Sequence, residues 1–104
     1  MNIQNISDIT AIDLAWYLRL TEADAEDLST LNTLLSVAKS YMKSYTGQDD
    51  EGLDKSADYV IACFVLVQDM WDNRTLYVDN DNVNKVVESI LNLHSINLLP
   101  RGET

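Results

Sequence analysis

The residues able to do chemistry are few and scattered. His94 is the one histidine and Cys63 the one cysteine among 104 residues. A thiolate–imidazole pair would make a nucleophile, but only if its surroundings lower the thiol pKa. Cys63 instead stands in the apolar run Ala62-Cys63-Phe64-Val65, where an inert, buried thiol is expected. His94 falls near the end of a helical pattern, where a positive ring suits the helix dipole. No nucleophile motif flanks either residue, and Gly47, Gly52 and Gly102 form no phosphate-binding fingerprint. The expectation is a protein without catalysis and without a cofactor.

The acids invite a metal reading. Asp79-Asn80-Asp81 opens like a calcium loop, but Val83, Asn84 and Ile90 stand where that loop needs an acid or amide, a glycine and a glutamate. Asp49-Asp50-Glu51 has no spacing that forces its carboxylates to converge. Both clusters read as solvated loops, and no metal is expected. The acids from Glu22 to Asp27 are accounted for by the electrostatics of a helix N-terminus.

The elements that would position these groups are helical. Leu28, Leu31, Leu35, Ala38, Met42 and Tyr45 recur at steps of three and four, an apolar stripe of an amphipathic helix. Acids precede it, Lys39 and Lys43 lie towards its end, and Gly47 is placed to close it in the left-handed conformation. Its start falls after Thr21 or Asp24. Before it, Thr10 and Asp13 form a capping box for a short helix that carries Leu14, Tyr17 and Leu18 and ends near Arg19-Leu20.

A polar loop spans Gln48 to Lys55. A third helix is expected from Ser56 to Asn73. Its middle, Val60 to Val67, is apolar nearly all round, the mark of a central helix. A buried strand is the rival reading, disfavoured because the apolar spacing continues to Met70 and Trp71. A second loop covers Thr75 to Asn82, with an extended piece at Leu76-Tyr77-Val78. Asn82 or Asn84 would cap a fourth helix carrying Val86, Val87, Ile90, Leu91 and Leu93. Trp16, Tyr41, Tyr45, Tyr59 and Trp71 lie on or beside apolar stripes; core packing is the default for each, with interface anchoring as the alternative, since a chain this small need not cover them all. The fold class is therefore all-α: one domain over residues 1–104, a bundle of about four helices around an apolar third, with two polar loops and loose termini at 1–8 and 100–104.

The net charge is −10, the pI about 4.1, and hydrophobic residues make up 46%. That much apolar content excludes a disordered acidic tail. The acidity argues against DNA or RNA as a tightly bound ligand. One cysteine excludes an internal disulfide or a cysteine-based metal cage. No secretory pattern is seen, and the longest apolar run, Tyr59 to Val67, is too short to span a bilayer. These features suit a soluble protein folded in a reducing cytoplasm.

Three segments carry a further likeness. They are Leu14-Ala15-Trp16-Tyr17-Leu18-Arg19-Leu20 followed by acids, Ala38 to Gly47 ending Tyr45-Thr46-Gly47, and the apolar helix ending Trp71-Asp72-Asn73-Arg74. In order and spacing they resemble the small head–tail connector proteins of tailed bacteriophages, also called adaptor or head-completion proteins. The likeness covers roughly residues 10–99. Asp72 stands where the family pattern has glutamate, and Asn92 to Leu99 lacks the basic residue often found after the last apolar pair.

The resemblance implies a structural virion protein at the head–tail junction, assembled in the bacterial host cytoplasm, of lytic or prophage origin. It implies docking on the portal protein, a tail-side neck or stopper protein as second partner, and a ring of about a dozen subunits built through heterologous contacts. DNA would pass through the ring without being gripped. Combined with the two polar loops, it points to Arg19, Asp49, Asp50, Glu51, Trp71, Arg74 and Tyr77 as interface residues. The alternative is an acidic helical binding module, a small regulator or inhibitor that docks on a basic surface.

Overall fold

A computed structural model of the chain describes residues 5–78 and 85–94. After a 3-10 turn, Ile6–Asp8, come five helices: α1 (Ala11–Tyr17), α2 (Ala25–Thr46), α3 (Asp50–Leu53), α4 (Asp58–Asn73) and α5 (Lys85–His94). There is no strand among the described residues, so Leu76-Tyr77-Val78 is not part of a sheet. The four longer helices are those expected from the periodicity. The one-turn α3 falls inside the segment expected to be a polar loop.

Local sequence fixes most of the ends. Thr10 Oγ1 accepts from the Asp13 amide while the Asp13 carboxylate accepts from the Thr10 amide, a complete capping box. Asp24 and Asp27 repeat that arrangement at the start of α2, which settles the choice between Thr21 and Asp24. Gly47, at φ 73°, closes α2 by donating its amide to the Lys43 carbonyl. A left-handed residue is nearly free of cost for glycine.

α4 is the centre. Tyr59, Val60, Ala62, Cys63, Phe64, Leu66, Val67 and Met70 are buried, and α4 packs on α1, α2, α5 and the 3-10 turn. Within the run Val65 is partly buried and Ile61 is exposed at 52%. α2 contributes Leu31, Leu34, Leu35, Ala38, Met42 and Thr46. Thr46, not Tyr45, completes the buried stripe. Its hydroxyl donates to the Met42 carbonyl at 2.7 Å, which removes the cost of burying it.

Side-chain pairs give the helix directions. Gln48 Nε2 donates to the Tyr59 hydroxyl, and Lys39 lies close enough to Cys63 to act on it, so α2 and α4 are antiparallel. Tyr45 bonds to Asn92, and Glu88 is near enough to Tyr41 for its charge to act on it, so α5 runs parallel to α2. Ser7 bonds to Asp54, and Tyr17 meets Phe64 and Gln68, so α1 runs parallel to α4.

Several expectations need correction. The loose arm to Asp8 does not hold for residues 5–8: Ile6 is 2% exposed, and Ser7 donates from its amide and hydroxyl to the Asp54 carboxylate. The segment Gln48 to Lys55 is not only a solvated loop, because Leu53 is fully buried. Val86 and Leu93 are exposed, so α5 enters the core through Val87 and Leu91, with Ile90 partly buried. Trp16, assigned to the core by default, is 72% exposed. The proposed caps Asn82 and Asn84, the Asp79-Asn80-Asp81 segment and the terminal residues 1–4 and 95–104 lie outside the described residues. No described helix is long and apolar enough to cross a membrane.

Candidate interface at the helix ends

The seven residues expected at an interface do not form one site. α1 and α4 run the same way, so Arg19, Trp71, Arg74 and Tyr77 share the end of the bundle where α2 begins. Asp49, Asp50 and Glu51 sit at the opposite end, where α2 stops. α4 alone separates these ends by about 24 Å, from sixteen residues at 1.5 Å each.

The end where α2 begins carries two matching helix terminations, beside the acids Glu22, Asp24, Glu26 and Asp27. Arg19 has φ 61° and Arg74 φ 56°, and they are the two non-glycine residues with positive φ among those described. At α1 the Arg19 amide donates to the Trp16 carbonyl and the Leu20 amide to the Ala15 carbonyl. At α4 the Arg74 amide donates to the Trp71 carbonyl and the Thr75 amide to the Met70 carbonyl. Both are Schellman closures, each with a tryptophan three residues before a left-handed arginine. A Cβ in the left-handed region costs about 1–2 kcal/mol, which is why glycine usually takes this position.

Aromatic and apolar side chains surround these caps. The Arg74 guanidinium lies 5.4 Å from the centre of the Trp71 ring, within cation–π range. Trp16, Tyr17, Arg19, Leu20 and Thr21 line a shallow groove. Leu76 and Tyr77, just past α4, are each 62% exposed. Neither arginine forms an ion pair with a described residue, although acids outnumber bases 17 to 7 in the chain.

At the acidic end the carboxylates are largely occupied in holding the fold. Asp49 Oδ1 accepts from the Gly52 amide at 2.8 Å and so caps α3. Lys43 Nζ lies 2.8 Å from Asp50 and holds its carboxyl below the ordinary range, chiefly by that hydrogen bond. Glu51 is exposed. No three potential ligand side chains converge on a metal site among the described residues.

Cys63 is fully buried, and desolvation pushes its thiol up to about 12, the opposite of an activated nucleophile. Burial, then the like charge of Asp72, raises the Asp69 carboxyl above its usual value. His94 is the last residue of α5, in keeping with its expected place at a helix end.

Sequence reasoning missed Ile12 and Leu76 as surface groups and left Trp16 between core and interface. Ile12 and Trp16 stand one turn apart on the outer side of α1, while Ala11, Leu14 and Ala15 are buried. The recurring Trp-x-x-Arg at 16–19 and 71–74 was the available signal. Comparison with known proteins adds no relative: no protein-family model, no curated protein and no solved structure matches the chain.

Proposed function

We propose that the protein is a structural subunit of a head–tail connector ring, which docks on a phage portal and extends the DNA channel towards the tail. The observation that supports it most is the placement of the three family-like segments. Each closes a helix of an all-α bundle with a left-handed residue: Arg19, Gly47 and Arg74. In this reading the segments set where helices stop and where polar and aromatic groups emerge. Portal and tail-side proteins meet the subunit at the helix ends, and neighbouring subunits meet through unlike faces, as a closed ring requires.

A net charge of −10 opposes self-association of the free chain and keeps a channel wall from gripping DNA. The ring therefore forms on the portal, and the free protein stays monomeric. The chain has no part in catalysis and takes no cofactor in this role. The test is electron microscopy of the protein with and without the portal protein encoded in the same genome. Rings seated on the portal support the reading. If the chain neither joins a portal nor forms rings, but binds one basic partner at fixed low stoichiometry, the acidic binding module replaces it.

A further inference from the structure

We infer that two apolar strips on opposite flanks of the bundle, Ile12 with Trp16 on α1 and Val86 with Leu93 on α5, are the two halves of a contact between copies of this chain. The contact deepens the ring reading, on which it rests, by giving neighbouring subunits two unlike faces.

Three observations carry it. The first is where apolar surface is left over. On α1, Ala11, Leu14 and Ala15 enter the core while Ile12 and Trp16 stay exposed on the outer side. On α5 the apolar arc is wider than the core uses. Val87 and Leu91 are buried and Ile90 partly so, but Val86 and Leu93, two turns apart on one face, are exposed. The second is placement around α4. Phe64 lies under α1. Ala62 and Leu66 are buried about 160° around α4 from Phe64, at 3.6 residues per turn. That side is left for α5, because α2 takes the arc between, where Tyr59 and Cys63 lie. The third is level along the bundle. Tyr17 meets Phe64 and Gln68, which sets Trp16 beside the level of Val65 and Ile12 beside that of Ile61. Gln48 meets Tyr59 and Tyr45 meets Asn92, which sets Leu93 at the level of Ile61 and Val86 within about one turn of Val65. The two strips therefore share a band of the bundle, Ile12 level with Leu93 and Trp16 close to the level of Val86.

A second copy of this chain is the occupant that this placement selects. Rotation about an axis parallel to the helices keeps every level, so it brings Ile12 of one copy to Leu93 of the next, and Trp16 to Val86. The faces are unlike, so the contact is heterologous and runs head to tail, as ring closure requires. Charge acts in the same direction. Glu22 to Asp27 lie at one end of the bundle and Asp49 to Glu51 at the other, so copies stacked end to end bring like charges together. Copies set side by side meet through apolar groups instead. Two large side chains on each face fall short of the roughly 800 Å² per partner of a stable interface. The contact is too weak to hold free copies together against a net charge of −10, and acts once a portal aligns the subunits and many contacts close together.

Cross-linking tests the contact on the full chain, with Cys63 left in place because it is buried. Ile12→Cys and Leu93→Cys are made singly and together, at exposed positions that leave the core intact. A short bismaleimide is added in about 1 M salt, where the Debye length falls to about 3 Å, and on the portal protein encoded in the same genome. The double variant should give a ladder of covalent dimers, trimers and longer chains. A mixture of the two single variants should stop at dimers, and neither single variant alone should cross-link. Adding Trp16→Ser, also at an exposed position, should cut the ladder about tenfold. Three results overturn the contact: a single variant linking to itself as well as the mixture does, a ladder undiminished by Trp16→Ser, or an equal ladder from Glu22→Cys with Glu51→Cys at the two acidic ends. Rings on the portal by electron microscopy without a ladder overturn this contact and leave the ring reading standing. A ladder in salt from a chain that never joins a portal keeps the contact and removes the connector. Neither ladder nor rings overturns both.

Discussion

The ring of Tyr17 lies stacked on that of Phe64, with centroids 4.9 Å apart and planes 17° from parallel, and its hydroxyl donates to Gln68 Oε1 at 3.2 Å. One residue of α1 thus grips two successive turns of α4, which holds the α1 cap beside the C-terminal half of α4. Phe64 is 6% exposed. Removing its ring takes away core volume and the surface on which α1 rests. Phe64→Ala should lower stability by about 3–5 kcal/mol. Urea unfolding followed by circular dichroism measures this, and a loss under about 1 kcal/mol would mean that α4 is not the centre of the core.

Arg19 and Arg74 can be separated by the same measurement. Glycine relieves about 1–2 kcal/mol of left-handed strain but returns about 0.5–1 kcal/mol through its freer unfolded chain. Arg19→Gly should therefore stabilise the protein by about 0.5–1 kcal/mol. Arg74→Gly also gives up the stack on Trp71, worth about 0.5–1 kcal/mol at an exposed site, and should be close to neutral. The predicted order of midpoints is Arg19→Gly, then Arg74→Gly together with the parent.

Asp69 and Asp50 should respond to pH with opposite signs. The folded-state pKa of Asp69 is raised, so its charged form is penalised on folding. That penalty is full above the raised value, shrinks as pH falls through it, and vanishes below the ordinary carboxylate range. Asp69→Asn should therefore stabilise at neutral pH by about a few tenths of a kcal/mol, screened because the group is only partly buried. In acid the variant and parent should converge. The pKa of Asp50 is lowered by Lys43, so its contribution is present above the ordinary value and lost as pH falls through the lowered one. Asp50→Asn should be slightly destabilising at neutral pH and indistinguishable from the parent in strong acid. Thermal midpoints across that pH range decide both signs.

Cys63 should be chemically silent in the folded protein. Its side chain is fully buried, and its thiol is pushed up to about 12, so neither access nor thiolate is available at neutral pH. Reaction with an aromatic disulfide reagent should proceed only through unfolding, and accelerate to the rate of a free cysteine in denaturant. Prompt modification under native conditions would place Cys63 outside the core.

What could be read from the residues depended on how local the signal was. The caps at Thr10–Asp13 and Asp24–Asp27, and the stop at Gly47, are short-range hydrogen-bond patterns that sequence spells directly. The central place of α4 followed from an apolar run too wide for one face. Trp16 was assigned to the core by default because α1 is apolar on almost every side, with Ala11, Ile12, Leu14, Ala15 and Trp16 interrupted by Asp13 alone, so periodicity does not select the buried face. Ile6 and Leu53 are single apolar residues without a period, and only tertiary packing buries them. The arginine caps were hidden because glycine is the usual sign of a left-handed closure. The seven residues expected at an interface came from sequence alone. The helix directions, known only from the fold, divided them between two ends.

Gly52, in the short α3, should resist replacement even by alanine. A Cβ there would lie 2.9 Å from Gln48 Cβ and 2.7 Å from Gln48 Oε1. Gln48 is not free to swing aside, because its Nε2 donates to the hydroxyl of Tyr59 at 3.0 Å, and Tyr59 is almost wholly buried. An alanine gains about 1 kcal/mol of helix propensity and still has to push that side chain away. The displaced bond and the strain outweigh the gain, so Gly52→Ala should destabilise by about 1–2 kcal/mol. Truncating the obstacle reverses the argument. In a Gln48→Gly background both contacts are gone, and Gly52→Ala should become neutral or mildly stabilising. A double-mutant cycle by urea unfolding measures the coupling. Additive effects would mean that α3 accommodates the methyl by shifting as a unit, and that Gln48 does not hold it in place.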